Sequence, residues 1–391
     1  MSGIYRLQGV VKHYDWGGYS FIPALLKTEN KPPRRPYAEY WMGVHPLGMA
    51  GIDTGGSAPT DLAFLAPDLS YLFKILDVRD MLSIQVHPSK EAAEIEFARE
   101  NAECIPLDSP HRCYKDPNHK PELVVALGDF WLLHGFKPTE ELADTLLNVA
   151  ELRELVPVLN DSGYTGLYKH VMEMQQEEVN RILTPLIDNL NKIYESGEME
   201  KSSPDYWAAK AHKTFSSEGN IDRGIFSIYF FNLVHLKKGE GIFQAAGVPH
   251  AYLEGQNVEI MANSDNVLRG GLTTKHINVQ ELMKHVKCEA TYPKILSPEA
   301  DNEGERKYET PAEDFRLSVF ELEAGDTVSF KPQGVEVVLL TEGIAEIDDE
   351  NDTIRLQAGS PAAVVFPGHT VYLAAAVKST VFRASAGIHN R

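Results

Sequence analysis

The sequence predicts a mainly β protein with a helical insertion, its strands forming two antiparallel barrels or jelly rolls and its helices a separate domain. Three observations predict it. Short apolar runs cut by Gly and Pro fill both ends of the chain, two long glycine-free, Leu-rich segments lie between Pro138 and Ala211, and a weak internal repeat links two strand-rich regions.

In chain order, Gly3 to Val11, Tyr71 to Leu76 and Met81 to His87 read as strands. Ser89 to Asn101 reads as a helix, with Ser89 as N-cap, Glu91 and Glu94 in its first turns, and Ala92, Ile95, Phe97 and Ala98 at helical spacing. Glu141 to Leu159 and Leu167 to Tyr194 are broken only by Pro157 and Pro185. They predict a helical domain with Leu183, Leu186 and Leu190 packed inward. The β pattern resumes at Gly224, through Phe226 to Leu236, and continues in Phe315 to Leu322, Val335 to Leu340, Ile354 to Leu356, Ala362 to Phe366 and Thr370 to Ala375. In the repeat, Leu236 to Gly239 leads to Pro249-His250, and Leu356 to Gly359 leads to Pro367-Gly368-His369. The expected partition is 1–137 and 223–300 as two parts of one β domain, 138–222 as the helical domain, and 301–391 as a second β-barrel. That barrel is expected to be metal-free, because His369 has no nearby polar pair to complete a site.

The 391 residues are 43% hydrophobic and 24% charged, an ordinary globular composition. A net charge of -19 opposes nucleic acid and anionic membranes, so an anionic substrate requires a local basic pocket. Cys104, Cys113 and Cys288 are too few and irregular for a disulfide framework, which favours a reducing cytoplasm. Met1 to Asn30 lacks the pattern of a secretory signal, and no run of eighteen apolar residues occurs.

Gln85 and His87 are two apart in an apolar stretch and share one face if it is a strand. Alone, such a pair is more often an ordinary hydrogen-bonded pair. Asn118-His119-Lys120-Pro121-Glu122, just before an apolar strand, changes the balance, because a lone buried carboxylate is costly unless a cation compensates it. With His250 from Pro249-His-Ala-Tyr252 these residues make an N/O set suited to zinc or another divalent transition metal. The stretch Glu259 to Lys275 crowds Glu259, Asp265, Arg269 and Lys275 around glycines. It reads as a simple polar loop with an ion pair or, preferably, as a base, an oxyanion stabiliser and a phosphate contact. Lys74 interrupts an apolar strand and reads as an ordinary lysine on the exposed face or, with Ser83 and the metal ligands following, as charge and a hydroxyl for an anionic group beside the metal.

These motifs resemble the type I mannose-6-phosphate isomerase (phosphomannose isomerase) family. The matching stretches are Tyr14 to Gly17, Ala38 to Pro46, Leu72 to Leu76, Leu82 to Pro88, Tyr114 to Glu122, Pro249 to Tyr252 and Met261 to Arg269, in the family's order. Tyr40 departs, standing where a smaller aliphatic residue is expected.

The resemblance implies cupin-type β-barrels, a helical insertion, and one Zn²⁺ per chain held by Gln85, His87, Glu122 and His250. It implies interconversion of mannose 6-phosphate and fructose 6-phosphate through an enediol. Glu259 or Asp265 then moves the carbon-bound proton, Lys120 and His119 assist ring opening or the oxygen proton, and Arg269 stabilises charge. Lys74, Ser83 and Lys275 hold phosphate, with Tyr252 and Trp16 also at the substrate. The expected partner is a small sugar phosphate, with neither nucleic acid nor membrane, and the chain a monomer or weak oligomer. Two rivals are a non-haem iron cupin dioxygenase, which Gln85 fits poorly, and a sugar-phosphate-binding or metal-storage module, which needs no spare base.

Overall fold

The structure is a computed structural model that describes residues 3–217 and 219–387. A ten-stranded sheet carries the candidate site. Its path runs Phe231–Leu236, Phe130–Phe136, His250–Ala262, Tyr71–Val78, Glu39–Met42 and Val10–Lys12. Off that path Glu122–Ala126 pairs with Gly241–Gln244 and His250–Ala262, and Gln85–Val86 pairs with His250–Ala262 and Leu268–Arg269. An eight-stranded sheet runs Glu305–Tyr308, Phe315–Leu322, Ser379–Ala386, Glu336–Glu342, Ala362–Val365, Ile4–Gln8, Gly51–Ile52 and Thr60–Asp61. A four-stranded sheet of Thr327–Phe330, Val371–Ala375, Ala345–Asp348 and Thr353–Leu356 completes the β structure, apart from the Val44–His45 and Gly48–Met49 hairpin. Neither long path returns to its first strand, so hydrogen bonding among the described residues leaves the sheets open.

The period-two alternation of side chains sorts these strands into layers. Phe73, Ile75, Leu123, Val125, Val258 and Ile260 pack on Leu317, Val319, Val337 and Leu339 of the eight-stranded sheet. On the other face of that sheet, Phe320, Leu322, Val338 and Leu340 meet Phe330, Ile347 and Leu373 of the four-stranded sheet. Because Ile75 and Val258 point to this shared core, their neighbours Lys74 and Glu259 point the opposite way. Every residue of Tyr71–Val78 is buried, so no alternation of polarity betrays the strand's two faces in its sequence.

The helical insertion covers the outer side of the first sheet. Leu133, Ala251 and Leu253 join a core with Leu167, Leu183, Trp207 and Phe226. The helices are Thr139–Asn148, Val156–Glu173, Gln176–Ser196 and Pro204–Phe215, with a 3₁₀ turn at Ala150–Leu155. Pro157 stands in the first turn of Val156–Glu173, where its missing N–H costs nothing, and Gly163 at φ 61 kinks that helix instead of ending it. Leu183, Leu186 and Leu190 are buried as expected.

Four elements differ from expectation, and the first is Met81 to His87, of which only Gln85–Val86 is strand. Gly224–Phe230 is a helix, and only Phe231–Leu236 is strand. All seven helix residues are buried, so its apolar run shows no period that separates helix from strand. Helix Lys90–Ala102 has its Ser89 cap, the hydroxyl accepting from the Ala92 N–H at 3.2 Å, but it buries Ala93 and Glu100 and leaves Ile95 exposed. Glu100 faces inward because Arg112 meets it at 2.9 Å and the Cys113 and Tyr114 N–H groups donate to it. Gly3 to Val11 also divides: Ile4–Gln8 joins the eight-stranded sheet and Val10–Lys12 the ten-stranded one, so the chain's start ties the two together.

Candidate metal centre and catalytic pocket

Three ligand-type side chains converge on the face turned away from the shared core. Ligand atoms of His87, Glu122 and His250, all buried, lie within 4.8 Å of one another. Strand pairing brings them there: Glu122–Ala126 and Gln85–Val86 both pair with His250–Ala262, and Gln85 stands opposite both His250 and Arg269. Residues directly opposite share a face, which puts Gln85 beside the triad.

The imidazole tautomers follow from their other bonds. His87 Nδ1 donates to the Asn266 carbonyl at 2.7 Å, and His250 Nδ1 to the Val248 carbonyl at 3.0 Å. Both Nε2 atoms face Glu122, at 3.4 Å from Oε1 for His87 and 3.4 Å from Oε2 for His250. Burial pushes His87 down to about 4 against the attraction of Glu122, so the ring is neutral at pH 7. Its Nε2 is buried with no hydrogen-bond partner. Acceptors facing one another in a dry site repel; a divalent cation between them removes the conflict, and the donor set fits zinc.

Glu122 also accepts from Tyr252 Oη at 3.0 Å and meets Lys120 Nζ at 3.1 Å. Burial alone would raise its pKa, but the Lys120 ammonium holds it well below the carboxylate range. Beside it, Lys74 Nζ lies 3.0 Å from Glu259 Oε2 and 3.6 Å from Glu39 Oε2. Burial works against the Lys74 charge, but Glu259, Glu39 and Glu122 outweigh it and raise its pKa. Burial raises Glu259, with Lys74 opposing. Lys74 is thus committed to carboxylates on either side.

The other expected residues take distinct positions. Asp265 meets His45 Nε2 at 3.3 Å; burial would raise its pKa, but His45, Lys120 and Lys74 lower it. His119 Nε2 is engaged 2.8 Å from Asp314 Oδ2, in the segment leading into Phe315–Leu322. Trp16 stacks on Tyr14 at 5.9 Å and packs on the cluster that includes Tyr252 and Phe130. Ser83 is half-buried, two residues before Gln85. The Arg269 guanidinium and the Lys275 ammonium make no ion pair or side-chain hydrogen bond among the described residues, yet each is partly desolvated and lowered in pKa, Lys275 also by the Arg269 charge.

Glu39, His45 and Tyr14 were not singled out from the sequence. Glu39 carried the same signal as Glu122, a carboxylate within an apolar run, Ala38 to Met42. Tyr14 is raised by burial and next by the Glu39 charge, and its ring stacks on Trp16. His45 lies in the matched stretch Ala38 to Pro46 but was given no role, because its partner Asp265 is 220 residues away in the chain.

Such a layout belongs to an enzyme more than to a metal store, since a store has no use for Glu259, a carboxylate beside the triad that completes no metal site. The model for phosphomannose isomerase type I, catalytic domain, matches residues 4–139. Mannose-6-phosphate isomerase of Salmonella typhimurium is 35% identical over 383 residues, covering 92% of this chain and 94% of that protein. Mannose-6-phosphate isomerase 1 of Arabidopsis thaliana is 31% identical over 425 residues, covering 99% and 94%. The solved structure of the Salmonella typhimurium enzyme bound to fructose 6-phosphate and zinc is similar at TM-score 0.87 and 31% identity, covering 99% of this chain and 100% of that one. The chain belongs to the mannose-6-phosphate isomerase family, and it is an isomerase.

Proposed function

We propose that this chain interconverts mannose 6-phosphate and fructose 6-phosphate through an enediol, using one Zn²⁺ per chain held by Gln85, His87, Glu122 and His250. The observation that carries the reading is the convergence of buried His87, Glu122 and His250 ligand atoms within 4.8 Å, with His87 Nε2 left without a hydrogen-bond partner. The bound ion supplies Lewis acidity at the sugar oxygens.

Glu259 is the base we assign to the carbon-bound proton: it takes the proton from C2 and returns it to C1. Its buried carboxylate is raised by desolvation, which brings its basicity closer to working pH, while Lys74 keeps it ionised. Lys74 therefore tunes Glu259 and is reassigned from phosphate. Lys120 serves the oxygen proton, passing it from O2 to O1, and Asp265, held by His45, is the second carboxylate within reach. His119 becomes a tether to Asp314. Arg269 and Lys275 face the phosphate, with Ser83 on the approach and Trp16 and Tyr252 lining the sugar's walls.

We assign the two β regions to cupin jelly rolls, whose packed sheets need no closed hydrogen-bonded ring, and keep the partition 1–137, 138–222, 223–300 and 301–391 as our division, except that the strands Ile4–Gln8, Gly51–Ile52 and Thr60–Asp61 join the eight-stranded sheet. Three free cysteines suit a reducing cytoplasm, and we assign a monomer or weak oligomer. No helix is long and apolar enough to cross a membrane among the described residues.

The test is a coupled assay for fructose 6-phosphate formed from mannose 6-phosphate. Turnover is expected, lost on chelation and restored by zinc, and Glu259→Gln lowers kcat by about 10²-fold, the low end for a general base. No product from zinc-loaded protein overturns the reading; oxygen consumption in its place favours the dioxygenase.

A further inference from the structure

Two loops meet at one buried amide. Asn266, fully buried, lies in the loop that carries Asp265 and Arg269, and it grips the loop leading to Lys120 and Glu122. Its Oδ1 accepts from the Lys115 N–H at 2.7 Å, and its Nδ2 donates to the carbonyls of Asp116 at 2.7 Å and Asn118 at 2.8 Å. Asp116 grips back: its carboxylate accepts from Ser264 Oγ at 2.9 Å, the Asp265 N–H at 2.8 Å and the Asn118 N–H at 2.9 Å. The backbone carbonyl of the same Asn266 accepts from His87 Nδ1 at 2.7 Å. Three strands' worth of functional residues therefore hang on one position.

We propose that Asn266, braced by Asp116, is a positioning residue that fixes the His87 ring for metal while setting the Arg269 loop against the Glu122 loop. The inference rests on the function proposed above. Its physical basis is the directionality of the His87 bond. With Nδ1–H tied to a rigid carbonyl, Nε2 presents its lone pair toward Glu122 and His250, and ring rotation is prevented. The carbonyl is rigid only because the side chain of the same residue is pinned at both ends of its amide. Donors and acceptors are both required, so no carboxylate or aliphatic residue of similar size substitutes. Asn266→Asp keeps the bond from Lys115 but loses both donations and sets a second carboxylate against Asp116; Asn266→Ala strands the Lys115 N–H and the Asp116 carbonyl and leaves the Asn118 carbonyl to Ser264 Oγ alone.

The experiment compares wild type, Asn266→Ala and the milder Asp116→Asn as purified full chains, reading zinc affinity by competition with a chromophoric chelator and the visible absorption of the Co²⁺-substituted proteins. Asn266→Ala is expected to weaken zinc by about 10- to 100-fold, the range for losing an outer partner of a metal ligand, and to shift the Co²⁺ bands. At saturating zinc its kcat should remain depressed, because the loop that leads to Lys120 and the position of Asp265 are disturbed as well, and KM should rise with the displaced phosphate contact of Arg269. Asp116→Asn should move each quantity the same way by a smaller factor, and it decides the matter where Asn266→Ala fails to fold. Wild-type affinity and unchanged Co²⁺ bands in the folded variants overturn the proposal while leaving the isomerase reading intact. A wild type that binds zinc but forms no fructose 6-phosphate overturns that reading and leaves the metal-positioning role testable by the same spectra.

Discussion

Two clusters of buried charge, one in each large sheet, resolve the same problem in opposite ways. In the eight-stranded sheet Arg383 bonds Glu336 through Nε at 2.6 Å and Nη2 at 3.0 Å, and Glu305 through Nη1 at 3.0 Å. Ser318 donates to Glu305 at 2.5 Å, Lys307 lies 3.2 Å from it, and Phe330 covers the guanidinium at 4.3 Å. Every charge there meets its opposite within the protein. In the ten-stranded sheet the carboxylates of Glu39, Glu122 and Glu259 meet, among the described residues, two ammonium groups, Lys74 and Lys120, with the His87 and His250 imidazoles beside Glu122. The first arrangement is finished; the second is short of a cation. A buried ion pair says little about function until its satisfaction is counted.

The widest separation between the clusters is expected from neutralising one carboxylate in each. Glu122→Gln should lose bound metal and reduce kcat/KM by about 10³-fold, the upper end for removing one electrostatic stabiliser, whereas Glu336→Gln should keep kcat/KM within about 2-fold. Metal content by mass spectrometry and steady-state rates check both. A Glu122→Gln enzyme that retains its metal and turns over normally removes the distinction.

Acid should separate them next. Burial holds His87 and His134 at about 4, Glu122 opposing in the first case and the 2.8 Å bond to Gln244 in the second, while the unfolded rings titrate near 6.5. Folded pKa values below unfolded ones mean that the unfolded chain binds more protons between those limits. Their contribution is complete above pH 6.5 and is lost as pH falls toward 4, at up to about 1.4 kcal/mol per pH unit for each ring. Denaturant titrations of metal-stripped protein at pH 7 and pH 5 should show the decline; equal stability at both contradicts the neutral, buried rings.

How far this contrast was legible in the sequence depends on the residue. His87, Glu122 and His250 could be picked out because each is a ligand-type side chain set in an apolar run, and burial of such groups needs a cause. Ser89 was legible because a helix cap is a local event, and so was the Phe315–Leu322 strand, whose alternation survives. Lys74 was found without its partners Glu39 and Glu259, since they reach it only through strand pairing. His119 faces Asp314, 195 residues on, and nothing in the motif around it points there. Arg383 and Glu336 passed unnoticed, because single charges at strand positions are ordinarily read as solvated. Local chemistry is written in the chain; who meets whom is decided by register.

A smaller effect belongs to the finished cluster. Glu336→Ala should lower stability by about 2 kcal/mol, less than the ~3–5 kcal/mol for breaking a fully buried pair, because Arg383 retains Glu305 and some solvent contact. Chemical denaturation of the holoenzyme at pH 7 gives the figure, and no change within error would mean that the pair only breaks even with its desolvation.

The gentlest probe compares cations and not carboxylates. In the C-terminal region Lys378 meets Glu323, Arg306 meets Glu321 and Arg355 meets Glu346, as befits a chain of net charge -19 in which acids are plentiful. Arg269 and Lys275 stand near each other with no such partner among the described residues, and Lys275 is lowered first by burial and then by the Arg269 charge. Like charges kept together without counterions cost free energy in the empty protein, which an incoming dianion recovers on binding. Lys275 sits on the exposed side of the pair, so its share is one screened contact to phosphate, equally strong before and at the transition state. Lys275→Met should therefore raise KM by about 10-fold and leave kcat within about 2-fold, the pattern of lost uniform binding. Raising the salt concentration should narrow the gap between variant and wild type. An unchanged KM for the phosphorylated sugar would return Lys275 to the ordinary solvated lysines and leave Arg269 to hold the phosphate alone.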